Sequence, residues 1–270
     1  MREDGFTLRE SQGILYYSCR AFESLPQLRH GFSTRRGPLA SSGEFSLNLG
    51  NLSAESPTRI DENRRRFLAA LHFEQAQLMT LRQIHSNRVH IIEDTPGRQE
   101  PWEGDAVATR IRDMALAVQT ADCLPVLIAD PVNFAVAAVH SGWRGTLSRI
   151  LLHTIQEMRR SFGSDPGRLL VAVGPGIRAC CYEVGAEVAH LFDAEYPASC
   201  LAKPARTNAG KYLLDLVRAL EIQLDSAGVR PENRHDLHAC TRCNTGEFFS
   251  YRAEGPATGR MMALIGLSSR

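Results

Sequence analysis

Short apolar runs alternate along the chain with longer stretches in which apolar residues recur every three or four positions, the pattern of strands interleaved with helices. Strand signatures fall at "ILYY" 14–17, "RVHII" 88–92, "ALAVQ" 115–119, "PVLIAD" 125–130, "FAVAAVH" 134–140, "LLVAVG" 169–174 and "MMALIG" 261–266. The runs at 125–130 and 134–140 are joined by the turn-length "PVN", which predicts an antiparallel hairpin. Helical spacing marks "TLSRILLHTIQEMRRSFG", where Leu147, Ile150, Leu151, Ile155, Met158 and Phe162 share a face and Gly163 is the stop. "KYLLDLVRALEIQLDSAG" repeats the pattern with Leu213, Leu216, Val217, Leu220 and Leu224, ending before Gly228. In "SPTRIDENRRRFLAALHF", Ser56 caps, Pro57 opens, and Ile60, Phe67, Leu68 and Leu71 form the apolar stripe, leaving Arg64, Arg65 and Arg66 on a solvated face.

A hairpin within strand-helix alternation excludes a purely parallel doubly wound fold and predicts an α/β chain of the mixed α+β kind, mixed sheets layered with helices. With no repeat, low-complexity segment or long linker, residues 1–270 are expected to form a single domain. The formal net charge of +1 provides no positive field for nucleic acid or an anionic membrane, which points to a small-molecule partner. "MREDGFTLRE" lacks the apolar stretch of a signal peptide, so the expectation is a cytoplasmic protein; a monomer is expected as well. Seven cysteines in a chain of this size read as thiols or metal ligands rather than a disulfide framework.

The hairpin places Cys123, before its first strand, and His140, at the end of its second, at one open end. "SGWRGTLSRI" follows at once: a glycine-bounded loop leading into a helix, where free backbone N–H groups and Arg144 suit an anion, and Gly142 and Gly145 let a ligand approach the backbone. His85 in "TLRQIHSNRVHII" also sits just before a strand, whereas His90 falls within the strand pattern and reads as structural. Two histidines and a thiolate compose an open zinc site with a fourth position for water or substrate, although their spacing matches no compact metal motif. Cys180 and Cys181 are adjacent, which in a strand points them to opposite faces, and "ACTRCN" holds a lone C-x-x-C, Cys240 and Cys243. These four are read as structural or supporting thiols.

The ordered motifs "GFSTRRG…FSLNLGN", "RQIHSNRV", "GDAVAT", "TADCLPVLIADP", "AAVHSGWRGT", "GPGIRACCYEVG", "GKYLLDL" and "CTRCNTGEFFSYRAEGPATGRMMALIG" resemble those of the YfiH/LACC1-like family, whose members are also called laccase-domain proteins, polyphenol oxidases or peptidoglycan editing factors. The resemblance spans about residues 30 to 266. It implies a mixed α/β domain with Zn2+ held by His85, Cys123 and His140. It also implies purine nucleoside phosphorylase activity on adenosine, inosine, guanosine and methylthioadenosine, together with adenosine deaminase activity. Two departures stand out: "PLASSGEF" replaces further glycine after "STRRG", so a loop closing over substrate differs, and Ser141 stands where alanine is common.

Phosphorolysis needs phosphate on one face of the ribosyl carbon and a proton for the departing base on the other. Arg144 is the first candidate for phosphate and Arg35 the second, with Asn48 a contact to ribose or base that competes with a plain turn role. Deamination needs water activated by zinc at C6 of adenine and a carboxylate to move protons, from among Asp105, Asp122 and Glu183. Asp105 and Asp122 equally suit orienting a ligand histidine. Copper polyphenol oxidation is disfavoured, because nine scattered histidines without an H-x-H pair do not supply clustered copper sites. A different enzyme class stays open: Cys123 as nucleophile and His140 as base, hydrolysing an amide as peptidoglycan precursor editing requires. A non-enzymatic zinc-containing nucleotide-binding module is the third reading, and His85, redundant in a Cys-His dyad, separates it and the zinc enzyme from the hydrolase.

Overall fold

Both faces of the strands Leu124–Asp130 (β8) and Ala135–Ser141 (β9) are buried along their whole length, so these strands lie inside the molecule between two other layers. The computed structural model describes residues 5–37, 47–50, 55–95, 102–196, 202–205 and 210–269. The "PLASSGEF" departure lies outside the described residues, as does Cys200.

The first sheet consists of Phe6–Ser11 (β1), Ile14–Cys19 (β2), Leu28–Ser33 (β3), Gln77–Thr80 (β4), Met114–Thr120 (β7) and Met261–Leu267 (β15), in the order β1-β2-β3-β15-β7-β4. The second comprises Val89–Ile92 (β5), Ala106–Thr109 (β6), β8, β9, Leu170–Val173 (β10) and Arg234–Asp236 (β14), in the order β14-β10-β8-β9-β6-β5. Glu183–Gly185 (β11), Ala202–Pro204 (β12) and Lys211–Leu214 (β13) form a small third sheet. Antiparallel pairs dominate, with β4 on β7, β5 on β6 and β14 on β10 parallel, so the expected mixed architecture holds.

Period-two alternation assigns alternate residues of β8 and β9 to two different cores. Leu127, Ala129, Val136 and Ala138 meet Phe32, Leu116, Val118 and Ile265 between the two large sheets. Val126, Ile128, Ala137 and Val139 face the helices Ile150–Phe162 (α4), Ala186–Glu195 (α5) and Leu216–Ala227 (α6). On the far side of the first sheet, Phe67, Leu68 and Ala70 of the helix Pro57–Ala70 (α2) pack on Ala115, Ala117 and Leu264. The result is four layers, helix, sheet, sheet, helices. Short helices Arg20–Glu23 (α1), Trp143–Leu147 (α3) and Tyr251–Glu254 (α7) complete the chain.

Local chemistry explains the boundaries. The Ser56 hydroxyl accepts from Arg59 N and Pro57 opens α2, as its sequence predicts. The 131–134 turn of the hairpin is fixed by Asp130 Oδ1, which accepts from Val132 N and Asn133 N. Gly163 and Gly228 close α4 and α6 in the left-handed region, at φ 71° and 83°.

Three readings need correction. The 211–228 segment is a strand and then a helix: Lys211–Leu214 pairs with β11 and β12, and Asp215 caps α6 by accepting from Arg218 N. The apolar spacing could not separate them, since the two elements abut at the cap. The 146–163 segment is interrupted at Arg149, whose φ of 58° breaks α3 from α4, and Arg144 lies in α3 rather than in a preceding loop. Arg64 is not on a solvated face: its Nε donates to Leu49 O at 2.9 Å, tying α2 to the 47–50 segment, while Arg65 and Arg66 are exposed.

Candidate metal centre and adjoining cleft

Cys123 lies on the bend that carries the chain from β7 in the first sheet to β8 in the second. The β8–β9 register sets Leu124 opposite Ser141 and Pro125 opposite His140, so the thiol and the imidazole meet at one end of the hairpin. His85 arrives from the 81–88 connection between β4 and β5. Gln83 aligns that connection by a two-point contact with a strand backbone, donating to Gln119 O at 2.8 Å and accepting from Gln119 N at 2.7 Å. The donor atoms of His85, Cys123 and His140 lie within 4.8 Å of one another, with Cys123 Sγ 3.9 Å from His85 Nε2 and the imidazole centroids 4.9 Å apart.

Asp105, fully buried before β6, organises both histidines. Its Oδ1 meets His140 Nδ1 at 2.8 Å and accepts from His85 N at 2.9 Å, while Oδ2 accepts from Ser86 N and Ser86 Oγ at 2.6 and 2.7 Å. With Nδ1 so engaged, His140 presents Nε2 toward Cys123 and His85. Burial opposes ionisation of Asp105, but the hydrogen bond and charge of His140 and the Ser86 bonds outweigh it and bring the carboxyl down to about 2. Burial also opposes charge on Cys123 and His140. Their mutual attraction prevails, lowering the thiol and raising the imidazole, with His85 assisting the thiolate and Asp105 the imidazolium.

The set fits a divalent ion on its own chemistry: one thiolate and two imidazoles, one of them held by a carboxylate, with fewer than four protein donors. Gly142 confirms the crowding, since a Cβ there would stand 2.9 Å from His85 Cδ2 and 3.0 Å from Cys123 Sγ. Backbone strain gathers at the same place. His85 and Asp122 both adopt positive φ, 59° and 93°.

Next to Gly142, Trp143 forms one wall of an open cleft of about 360 Å³ lined also by Tyr182, Glu183, Gly185, Lys211 and Arg252. The exposed Arg144 guanidinium stacks on Trp143 at 4.3 Å and forms no ion pair among the described residues. Burial raises the Tyr182 hydroxyl pKa, the Cys123 charge adds to it and the Arg252 and Arg144 charges oppose it; the cleft adjoins the metal centre through Trp143, the chain neighbour of Gly142.

The other sequence candidates are engaged as follows. Arg35 Nη1 is engaged by Thr245 O and the Glu254 carboxylate, both at 2.6 Å, over the Phe249 ring; it anchors the 245–254 segment. Asn48 is buried, and its Oδ1 accepts from Gly50 N and Arg260 N, the turn role rather than a reach toward ribose. Asp122 orients no histidine: its carboxylate accepts from Thr241 Oγ1, Ser250 Oγ and Arg252 N at 2.6–2.7 Å. It instead ties the 241–252 segment to the residue before Cys123, a link between distant residues that spacing does not reveal. His90 is structural as read, its Nε2 at 2.8 Å from Glu103 O and its ring against Trp102. The strand argument that set Cys180 and Cys181 on opposite faces is corrected. Cys180 and Cys181 lie in the turn 179–181, not in a strand, and converge with Cys240 and Cys243.

A family model described as "Multi-copper polyphenol oxidoreductase laccase" matches residues 29–268. The chain belongs to this laccase family. Among the described residues of this family member, the groups able to hold a metal are the His85-Cys123-His140 set and the four cysteines, neither of them a histidine cluster of the multicopper kind. "Purine nucleoside phosphorylase" of Deinococcus radiodurans is 40% identical over 89% of this chain and 90% of its own. Human "Purine nucleoside phosphorylase LACC1" is 30% identical over 97% of this chain and 64% of its own. "Adenosine deaminase RL5", from an unknown prokaryotic organism, is 34% identical over 85% and 90%. The crystal structure of Bacillus licheniformis YfiH superposes with a TM-score of 0.85 at 28% identity, covering 97% of this chain and 99% of that one. YlmD from Geobacillus stearothermophilus gives the same score at 29% identity, covering 98% and 99%. Among the described residues no helix is long and apolar enough to cross a membrane.

Proposed function

We propose that the protein is a zinc-dependent purine nucleoside phosphorylase, converting adenosine, inosine, guanosine or methylthioadenosine and phosphate to free base and ribose 1-phosphate, with adenosine deaminase activity in the same site. The observation that carries this reading is the convergence of His85, Cys123 and His140 beside an arginine without an ion pair and an open cleft. The relatives' printed names supply the substrate class.

In phosphorolysis the bond from the ribosyl carbon to the base nitrogen breaks, the bond to a phosphate oxygen forms, and the base leaves with a proton. Arg144 holds phosphate with its planar fork, preset by stacking on Trp143. Trp143 and Tyr182 offer aromatic surface to the purine. Of the three carboxylates in question, Asp105 and Asp122 are occupied by hydrogen bonds that shape the site, and Glu183 lies in the cleft wall. Its place in the cleft beside Trp143 and Tyr182 assigns Glu183 to proton transfer at the base. A zinc ion held by His85, Cys123 and His140 supplies Lewis acidity. Asp105 keeps His140 in the tautomer and orientation that leave Nε2 open.

The thiolate-imidazolium character of Cys123 and His140 also favours a second reading, a Cys-His amide hydrolase. Incubating zinc-loaded protein with inosine, with and without phosphate, tests the proposal. Phosphate-dependent release of hypoxanthine and ribose 1-phosphate is expected; no turnover of any purine nucleoside at full metal loading would overturn it in favour of a binding module.

A further inference from the structure

Cys180, Cys181, Cys240 and Cys243 bring four sulfurs within 4.8 Å of one another, with Cys181 Sγ 3.3 Å and Cys180 Sγ 3.7 Å from Cys243 Sγ. A zinc ion with Zn–S bonds of about 2.3 Å at the centre of a sulfur tetrahedron sets the sulfurs about 3.8 Å apart. The two observed separations fall within about 0.5 Å of that edge, on its short side, and exceed any S–S bond, for which about 2.05 Å is required. The two loops are already joined at the backbone, where Gly176 pairs with Cys240, Gly176 N donates to Ala239 O and Thr241 N donates to Gly176 O.

We propose that these four cysteines hold a second zinc ion, in a closed all-thiolate site distinct from the His85-Cys123-His140 centre. Four soft donors, with no histidine or carboxylate among them, suit zinc and leave no open position once all four bind, so the site is structural. Its place in the fold defines what it stabilises. The 179–181 turn leads directly into Tyr182 and Glu183 of the cleft wall, and the 240–243 turn carries Thr241, which donates to Asp122 beside Cys123. A metal clip here fixes the cleft wall relative to the first metal centre, and it closes loops between residues about sixty apart, where a cross-link most restricts the unfolded chain.

The test is metal stoichiometry in wild type, His85→Ala and Cys243→Ser, measured by elemental analysis together with native mass spectrometry. The expected result is two zinc ions per chain in wild type and one in each variant. Cobalt substitution should retain intense thiolate-to-metal charge-transfer absorption in His85→Ala and lose most of it in Cys243→Ser. X-ray absorption of His85→Ala, which does not depend on Cys243→Ser folding, should show four sulfur scatterers. One zinc per chain in wild type that vanishes in His85→Ala would overturn the proposal. So would iron in place of zinc, or an intact mass two hydrogens light from a disulfide among these four residues. The outcome is independent of nucleoside turnover, so failure here leaves the proposed activity standing.

Discussion

Asp105 Oδ1 touches His140 Nδ1 at 2.8 Å and the backbone N–H of His85 at 2.9 Å, so one buried oxygen sets the positions of two imidazoles that lie 55 residues apart in the chain. Replacing Asp105 by Ala removes the acceptor for His140 and leaves three N–H groups of the 84–86 turn unpaired. Zinc affinity, measured by chelator competition, should fall about 10- to 100-fold. Stability in urea should drop by about 3 kcal/mol or more, because a buried charge pair loses one partner. Unchanged zinc affinity would show that His140 is held by packing alone.

His85→Ala separates the two enzyme readings. A zinc phosphorylase should lose more than about 100-fold in kcat/KM for inosine along with the metal of this centre. Amide hydrolysis that persists in metal-free His85→Ala would assign the chemistry to Cys123 and His140 as a dyad.

Arg144→Ala should raise the KM for phosphate about 10- to 100-fold, the loss of a charge-assisted bidentate contact worth about 1.5–3 kcal/mol, while zinc content stays unchanged. Arg144→Lys should recover only part of the loss, since an ammonium lacks the planar fork. A phosphate KM that does not respond would remove Arg144 from the anion site.

Gly142→Ala asks whether close approach is essential. The new Cβ falls within 3.0 Å of Cys123 Sγ and 2.9 Å of His85 Cδ2, so the donor set must spread. Loss of metal with a stability cost of about 1–3 kcal/mol is expected. Full zinc occupancy at wild-type affinity would contradict the crowding.

His30 gives the fold a built-in acid sensitivity. Its Nε2 accepts from Cys19 N at 2.9 Å, so the ring is neutral, and burial pushes its pKa down to about 4. Because the unfolded chain binds the proton more readily, near pH 6.5, stability from this group is complete above that pH and is lost as pH falls toward 4. The loss amounts to about 3 kcal/mol at most. Urea unfolding at pH 7 and pH 4.5 should show it in wild type and show less of it in His30→Gln; equal pH sensitivity in both would exclude His30 as the source.

Local order made part of this protein legible from its sequence. Apolar periodicity, Ser56 and Pro57, and the stops at Gly163 and Gly228 act within a turn or two of chain, and the short 131–134 link of the hairpin fixes its register, so Cys123 and His140 come together by local rules. Where those rules conflict over a few residues, as at Lys211–Leu214 beside the Asp215 cap, pairing with β11 and β12 made the choice. Tertiary structure alone decided that Asp105 serves both histidines, that Asp122 answers to Thr241 and Ser250 more than a hundred residues away, and that Arg35 is engaged by Glu254. It alone gathered four cysteines from two turns into one cluster. The physical reason is that side-chain periodicity records which face an element buries, whereas a hydrogen bond or a metal ligand set depends on where distant loops end, and that follows from how the layers stack.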